Sequence, residues 1–253
     1  MTALSGRHAL VTGGGRGIGR AVAETLSAAG ASVTVLGRSR DVLEETVAAG
    51  HAKGVIVADV TDPAAIAAGV KEAVSARGAF DILIANAGGV GTAPFAKTGA
   101  EQFQRMFDLN VMGIVHCAQA VMSDMVARKF GRIVAVASTA GLKGYPYVSA
   151  YCTAKHAVVG LVRSLAIETA KTGVTVNAIC PGYTDTDLVR ESVAAVMKKT
   201  GKSEQDIVAQ YVKDMPIARL IKPQEVAAAV LYLCSDNAAA VTGTAMTVAG
   251  GEI

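Results

Sequence analysis

The sequence predicts an α/β protein in which seven parallel strands form one doubly wound sheet with helices on both faces. Short apolar runs alternate with longer alanine-rich segments of helical period, and these runs are apolar throughout rather than at every second position. Repeated strand–helix–strand order is typical of parallel pairing. Continuously apolar strands are typical of a sheet that is covered on both faces.

Each element of this sheet has a candidate segment. Strands are expected at 8–12, 32–37, 54–58, 81–85, 131–137, 175–179 and 245–248, and helices near 17–29, 41–49, 63–77, 100–128, 149–172 and 223–235. One long segment, 182–222, interrupts this alternation and is expected to be largely helical. Because loops of this length usually carry function, we interpret 187–215 as a substrate lid, with a surface insertion as the alternative. No linker or repeat divides the chain, so residues 1–253 are expected to form one domain.

The composition excludes several classes of protein. The chain has 253 residues, 51% of them hydrophobic, and a net charge of +3 with scattered basic residues. Its short basic clusters, Arg38/Arg40 and Lys198/Lys199, are too small for a nucleic-acid footprint. No uninterrupted apolar run approaches the ~18 residues of a membrane span, and the N-terminal segment lacks a signal-peptide apolar region. We therefore expect a cytoplasmic protein with no nucleic-acid or membrane partner.

The cysteines give no metal or disulfide pattern. The four of them are widely spaced in apolar contexts, so they are expected to be reduced and buried, and no metal site is expected. They are Cys117, Cys152, Cys180 and Cys234.

A glycine-rich turn follows the first strand in "LVTGGGRGIGRAVAETL". Gly13, Gly17 and Gly19 would let the backbone approach a ligand, and the N-terminus of the following helix offers free N–H groups to a pyrophosphate. A tight turn without a ligand is the alternative. The position between a strand and a helix favours a dinucleotide site, although the spacing T-G-x-x-x-G-x-G differs from the common G-x-G-x-x-G.

The end of the second strand indicates which dinucleotide binds. NAD sites usually place a carboxylate there for the ribose 2′-OH, whereas an arginine accommodates the 2′-phosphate of NADP. Here the strand ends in Gly37-Arg38, and Arg16 could face the same spot. The planar guanidinium suits phosphate, so NADP(H) is preferred and NAD(H) stays possible. Two solvated surface arginines are the alternative.

Polar motifs follow the third and fourth strands as well. Asp59 could accept a hydrogen bond from an adenine amino group, with the N–H of Val60 beside it. Asn86-Ala87-Gly88 would let main chain lie against the cofactor. Each motif is weak alone, but together, at the carboxyl ends of successive strands, they predict a cofactor site at that edge.

Tyr151 and Lys155 lie one helical turn apart in "SAYCTAKHAVVGL". Residues at i and i+4 share a helix face. A phenol has a pKa near ~10, and a cation about 4 Å away at an effective dielectric of ~20 would lower it by about three units. The pair therefore predicts a proton-transfer device, with a buried tyrosine beside a snorkelling lysine as the alternative.

Two further polar residues support this prediction. Ser138 ends the fifth strand, where a hydroxyl can stabilise developing negative charge. Asn110 is a polar residue inside a helix that otherwise packs, and such residues need partners.

With these residues in view, the chain resembles the short-chain dehydrogenase/reductase family, in its single-domain branch, over essentially its whole length. The residues that carry the resemblance are Thr12-Gly13-x-x-x-Gly17-x-Gly19, Asp59, Asn86-Ala87-Gly88, Asn110, Ser138, Tyr151-x-x-x-Lys155, and Pro181-Gly182 followed by Thr186. The resemblance implies a Rossmann-type fold and an NAD(P)-dependent oxidoreductase. There are two departures from the family pattern. Ala85 precedes Asn86 where many members have another Asn, and Ala249 replaces a common Asp, which weakens any inference about C-terminal contacts.

The resemblance also implies roles for these residues. Tyr151 is the general acid in reduction and the base in oxidation. Ser138 orients the carbonyl, Lys155 lowers the pKa of the tyrosine and holds the nicotinamide ribose, and Asn110 anchors a water in a proton relay. The backbone after Pro181-Gly182 holds the carboxamide. The full set of cofactor contacts it implies is Gly13, Arg16, Gly17, Ile18, Gly19, Arg38, Asp59, Val60, Asn86, Ala87, Gly88, Tyr151, Lys155, Pro181, Gly182, Thr184 and Thr186.

The substrate is less closely defined. The segments "VTVNAICPGYTDTDLV" and "MPIARLIKPQEVAAAVLYL" resemble those of 3-oxoacyl-thioester reductases and polyketide ketoreductases. We therefore expect reduction of a 3-oxoacyl thioester of CoA or a carrier protein. Lys143, Arg190 and Lys198/Lys199 could attract such an anionic carrier, and solvated surface residues are the alternative. An NAD-dependent 3-hydroxyacyl or 3-hydroxybutyrate-type dehydrogenase is the alternative, and a non-catalytic dinucleotide sensor a remote one. The family resemblance implies a homotetramer.

Overall fold

A computed structural model describes residues 3–253. Within these residues, seven strands form one parallel sheet. Its order is β3-β2-β1-β4-β5-β6-β7, so the chain winds outward from β1 to β3 on one side and from β4 to β7 on the other. The strands are β1 (His8–Thr12), β2 (Ser32–Gly37), β3 (Gly54–Val57), β4 (Ile82–Ala85), β5 (Gly131–Val136), β6 (Val174–Pro181) and β7 (Ala245–Val248).

The helices cover both faces of this sheet. Helices α3 to α6 pack on one face, and α1, α2 and α9 pack on the other. Strands such as β1 and β5 are buried at every position because each face is covered. The helices are α1 (Gly17–Ala28), α2 (Arg40–Ala48), α3 (Pro63–Arg77), α4 (Ala100–Phe107), α5 (Gly113–Ala127), α6 (Ser149–Thr169), α7 (Asp187–Thr200), α8 (Glu204–Tyr211) and α9 (Pro223–Cys234).

These elements confirm the predicted fold class, and most boundaries agree within one or two residues. Two segments differ. The expected helix over 100–128 contains a π-helical turn, Asp108–Met112, between α4 and α5. Strand β6 runs on to Pro181, beyond the expected end at 179, because its last residues pair with β7 through Pro181 and Val248.

One helical run deserves comparison with a membrane span. The run Ala100–Ala127 has 28 residues, and the mean hydropathy of its most apolar 18-residue window is 1.2. By length and composition alone, such a helix could cross a membrane. The sequence expectation considered uninterrupted apolar runs and missed this averaged signal. In the fold 44% of that window is buried, and α5 lies over β4 and β5. A core helix passes the same test, so the run carries no argument for a membrane span.

Candidate active site

The residues singled out from the sequence follow the carboxyl ends of the strands, and these ends share one edge of the parallel sheet. Ligands of open α/β sheets bind in the crevice at this edge. The sheet therefore brings together the groups that follow β1 to β6: Gly13, Arg38, Asp59, Asn86, Ser138 and Gly182.

Ser138 and Tyr151 meet across the loop between β5 and α6. Ser138 caps a short 3-10 turn, Thr139–Gly141, and its Oγ accepts a hydrogen bond from the N–H of Ala140 at 3.1 Å. Tyr151 lies in the first turn of α6, and its phenol shares a hydrogen bond with the Ser138 hydroxyl. The two hydroxyl groups can therefore address the same oxygen of a substrate.

Lys155 is buried one turn further along α6, with 4% of its surface exposed. Its Nζ donates to the carbonyl oxygen of Val136 at 2.8 Å and lies 5.7 Å from the ring centroid of Tyr151. Burial lowers the pKa of this ammonium to about 8. The bond to Val136 fixes the ammonium beside the phenol at the end of β5.

The pKa of Tyr151 moves in the direction opposite to the expected one. Burial raises it to about 12, and the hydrogen bond with Ser138 acts the other way without cancelling that rise. Desolvation of the phenolate is the largest cause of the raised pKa, and Lys155 does not contribute to lowering it. The sequence argument counted the charge of Lys155 and left out the loss of water around Tyr151.

Asn110 occupies the π-helical turn and is fully buried. Its Nδ2 donates to the carbonyl oxygens of Gly89 and Met106, both at 3.0 Å, while its Oδ1 accepts from the N–H of Gly89 at 3.3 Å. A Cβ on Gly88 would lie 2.7 Å from Asn110 Oδ1 and 3.7 Å from Lys155 Nζ. Asn110 thus has the partners that its burial requires, and it lies with Gly88 and Lys155.

The glycine turn is held by Thr12 and Asn86. The Thr12 hydroxyl accepts from the backbone N–H groups of Asn86 and Ala87, each at 2.9 Å. Asn86 Nδ2 donates to the carbonyl oxygens of Thr12 at 2.9 Å and Gly13 at 3.3 Å. The side chain of Asn86 therefore fixes the turn, and its predicted contribution to a cofactor comes through this backbone.

Glycine is required at two positions of the turn. Gly13 has φ 65° and Gly17 has φ 49°, a conformation that L side chains rarely adopt. A Cβ on Gly17 would lie 3.1 Å from Thr186 Cγ2, so Thr186 faces the turn from the far side of the crevice. Next to Gly17, Ile18 is partly buried against the α1 side of the core.

The segment after β6 extends the same edge. Thr184 is buried, and its hydroxyl donates to the carbonyl oxygen of Gly182 at 3.0 Å, while Thr186 donates to that of Thr184 at 3.3 Å. Pro181 is the last residue of β6. The residues expected to hold a carboxamide thus form one continuous turn.

Arg16 and Arg38 lie where the adenosine ribose of the cofactor is expected. Arg16 is exposed, and Arg38, with 80% of its side chain exposed, places Nη1 3.9 Å from Asp59 Oδ2. Asp59 Oδ1 accepts from the N–H and hydroxyl of Thr61, and these bonds hold the pKa of the carboxyl below its usual value. Val60 is buried, with its carbonyl oxygen 2.9 Å from His116 Nδ1.

The sequence argument missed a polar cluster beside Ser138. Tyr145 Oη lies 2.7 Å from Thr139 Oγ1 and 2.5 Å from Glu252 Oε1, and Lys143 Nζ lies 3.1 Å from the same carboxylate oxygen. The signal available in the sequence was a single glutamate in the apolar C-terminal run "VAGGEI". Nothing local links it to a tyrosine 107 positions earlier.

Replacing Gly19 by alanine should damage the turn. A Cβ there would lie 2.2 Å from the carbonyl oxygen of Gly13 and 2.6 Å from Asn86 Nδ2, so the backbone must shift. We expect a loss of about 1–3 kcal/mol in the free energy of unfolding, as for other overpacked sites, measured by chemical denaturation.

The control is Gly160→Ala in α6, where a Cβ would meet no neighbouring atom within 4 Å. Alanine favours a helix interior over glycine by about 1 kcal/mol, so this variant should lose no stability. Equal stability of the Gly19 and Gly160 variants would contradict the close approach at the turn.

Known proteins share this arrangement of elements. The family model described as short chain dehydrogenase matches residues 7–196. The chain is 39% identical to the granaticin polyketide synthase putative ketoacyl reductase 1 of Streptomyces violaceoruber, over 96% of this chain and 92% of the relative. It is 35% identical to the D-beta-hydroxybutyrate dehydrogenase of Rhizobium meliloti (strain 1021), over 97% of this chain and 98% of the relative.

A solved structure is similar over nearly the whole chain. The crystal structure of an actinorhodin polyketide ketoreductase variant with NADPH has a TM-score of 0.92 and 34% identity, and 97% of each chain is covered. This similarity agrees with the seven-stranded parallel sheet described above. The chain belongs to the short chain dehydrogenase family and is an oxidoreductase.

Proposed function

We propose that the chain is an NADP(H)-dependent ketoreductase that reduces a 3-oxoacyl thioester of CoA or a carrier protein. The observation that carries the reaction type is the meeting of Ser138, Tyr151 and Lys155 at one strand end. The arginines at the end of β2 favour NADP(H). Named relatives that are polyketide ketoacyl reductases, and a similar structure with NADPH, support the substrate class.

The strand-end edge fits a dinucleotide. No side chain caps the N-terminus of α1, so the N–H groups of its first turn are free for a pyrophosphate. When bound, the nicotinamide supplies or accepts the hydride. The pyrophosphate would lie against Gly13, Arg16, Gly17, Ile18 and Gly19, the adenosine end at Arg38, Asp59 and Val60, and the nicotinamide end at Asn86, Ala87, Gly88, Tyr151, Lys155, Pro181, Gly182, Thr184 and Thr186.

Proton transfer belongs to Tyr151 in this proposal. With a pKa of about 12, its phenol carries a proton at neutral pH and can donate it to the oxygen of a carbonyl that gains hydride. Ser138 donates to the same oxygen, Lys155 holds the ribose, and Asn110 anchors a relay water. The protonated phenol is the form that ketone reduction requires.

The cofactor choice rests on Arg38 and Arg16. No carboxylate ends β2, so a 2′-phosphate would meet Arg38 without repulsion there. The ion pair of Arg38 with Asp59 is exposed, and such pairs contribute only about 0–1 kcal/mol, so the guanidinium is available to a stronger partner. NAD(H) stays possible, and the hydroxybutyrate dehydrogenase relative keeps the oxidative alternative open.

The basic residues give less support to a carrier than the sequence suggested. Lys143 is paired with Glu252, and Arg190 forms two hydrogen bonds with Asp185 at 2.9 and 3.2 Å. Each of these cations already faces a carboxylate. The exposed Lys198 and Lys199, in the last turn of α7, are the basic residues that remain for an anionic carrier.

We infer that 187–215 covers the substrate. Helices α7 and α8 lie in this segment, and Ser192 Oγ is 2.8 Å from Tyr211 Oη. Tyr211 stacks on Tyr183 with ring centroids 4.8 Å apart. Because Tyr183 follows Gly182 directly, this contact ties the segment to the turn expected at the nicotinamide.

A ketone panel tests the proposed function. Purified chain is mixed with NADPH or NADH and with acetoacetyl-CoA, sugar ketones or steroid ketones, and cofactor consumption is followed. We expect turnover of acetoacetyl-CoA with NADPH. Faster oxidation of 3-hydroxybutyrate with NAD would favour the dehydrogenase alternative. Tight cofactor binding without turnover of any substrate, in either direction, would favour the sensor.

We further propose that the chain forms a homotetramer in the cytoplasm, built on the helices at 100–127 and 149–169. An open groove of about 420 Å³ lies between α4 and the start of α6, lined by Phe103, Phe107 and Ala150 among others. Ile167 on α6 is 79% exposed. Sedimentation should give a tetramer at micromolar concentration, and a stable monomer would contradict this assembly.

A further inference from the structure

A carboxylate is buried at the end of the cleft that holds Ser138. The side chain of Glu252 is 2% exposed. Its Oε1 is 2.5 Å from Tyr145 Oη and 3.1 Å from Lys143 Nζ. Its Oε2 is buried without a hydrogen-bond partner and lies 3.0 Å from the place of a Cβ on Gly182. One oxygen of this carboxylate is satisfied, and the other is not.

Three contacts connect this cluster to the reaction centre. A carboxylate can only accept, so the phenol proton of Tyr145 goes to Glu252. The same phenol oxygen is 2.7 Å from the hydroxyl of Thr139, the neighbour of Ser138. Gly182 begins the turn expected to hold the carboxamide. Glu252 therefore lies between the two segments that flank the reacting carbonyl.

Glu252 offsets the charge of a partly exposed cation. Lys143 keeps 34% of its side chain exposed and could attract a substrate carboxylate, but it is paired with Glu252. The buried and unpartnered Oε2 leaves negative charge near this place, and that charge would repel a second carboxylate. A buried group that repels one class of substrate is a common source of specificity.

From these contacts we propose that Glu252 is a specificity-determining residue that selects neutral 3-oxo substrates, such as thioesters and esters, against free 3-oxo acids. The inference rests on the proposed function, because it assumes that a 3-oxo compound occupies this cleft. It separates the proposed reductase from the hydroxybutyrate-type alternative, whose substrate is a free acid.

The test compares methyl acetoacetate with acetoacetate, which differ at one end by a negative charge and one methyl group. With NADPH, the wild type should show a higher kcat/KM for the ester. Glu252→Gln keeps the shape of the side chain and frees the charge of Lys143. It should raise kcat/KM for acetoacetate about tenfold, or ~1.4 kcal/mol, and leave that for the ester nearly unchanged.

A second variant should change kcat/KM for acetoacetate in the opposite direction. Lys143→Met leaves the carboxylate of Glu252 without its cation, so kcat/KM for acetoacetate should fall while that for the ester is retained. Glu72→Gln, at an exposed position of α3 outside the proposed site, is the matched control and should change neither substrate.

The outcomes separate the two proposals. An ester-to-acid ratio that is the same in wild type, Glu252→Gln and Lys143→Met would overturn the role of Glu252 and leave the ketoreductase proposal intact. Acetoacetyl-CoA is assayed beside the ester and the acid. Reduction of acetoacetyl-CoA but of neither small substrate would overturn this inference alone, and reduction of none of the three would overturn the proposed function as well. If Glu252→Gln fails to fold, the ratio measured for Lys143→Met decides.

Discussion

Replacing Tyr151 by phenylalanine should lower kcat for ketone reduction by about 10²–10⁴-fold, the usual contribution of general acid–base catalysis. The variant keeps the ring, which packs against the core, and removes only the hydroxyl. At a pKa of about 12 this hydroxyl carries the proton that the product alcohol needs. Lys155 remains bonded to Val136, so the affinity for NADPH should be retained. Steady-state rates and fluorescence titration measure the two quantities.

The control for this substitution is Tyr232→Phe. Tyr232 is 44% exposed on α9 and lies outside the strand-end edge, so its loss of a hydroxyl should leave kcat unchanged. A Tyr151→Phe enzyme with near-normal turnover would refute the assignment of the general acid. A variant that also loses NADPH would point to a collapsed site and not to lost proton transfer.

Gly37→Asp should reverse the cofactor preference. Charge-assisted contacts contribute about 1.5–3 kcal/mol each, so Arg38 and Arg16 together should favour NADPH over NADH by about a hundredfold or more. An aspartate at the end of β2 would repel the 2′-phosphate and accept from a ribose 2′-OH. The fold should tolerate it, because a Cβ there would approach only the end of the Leu43 side chain, at 3.3 Å.

Gly37→Asn is the matched control, since it adds the same volume without the charge. It should weaken both cofactors by a similar factor and keep the order of the wild type. Both cofactors should be titrated at the same moderate salt concentration, because screening weakens exposed charge pairs. If the wild type binds NADH as tightly as NADPH, the arginines are solvated surface residues. The NAD-linked alternative then becomes the better description.

The sheet could be predicted because its signals are local. Each strand is a short apolar run and each helix has its own period, so boundaries such as His8–Thr12 and Ala245–Val248 follow from the residues inside them. The π-helical turn at Asn110 could not be predicted in this way. The sequence shows a polar residue that needs partners, but the widened turn comes with its bonds to Gly89 and Met106.

The candidate site could be predicted in part. The residues at strand ends share an edge because parallel pairing brings them there, as Ser138 and Gly182 illustrate. The pKa of Tyr151 was expected to fall, and it rises because burial depends on packing that a sequence does not show. Glu252 was missed for a related reason, since its contacts with Tyr145 and Lys143 join the end of the chain to a loop over 100 positions away.

The most direct test of the account is the fate of the hydride. NADPH that carries deuterium at the transferring position of nicotinamide C4 is incubated with the wild-type chain and acetoacetyl-CoA, and the product is analysed by mass spectrometry. Both C4 positions are tested in turn. The account predicts a 3-hydroxyacyl product with deuterium on the carbinol carbon from one of the two labelled cofactors. A folded chain that binds NADPH but yields no labelled alcohol from either would contradict it.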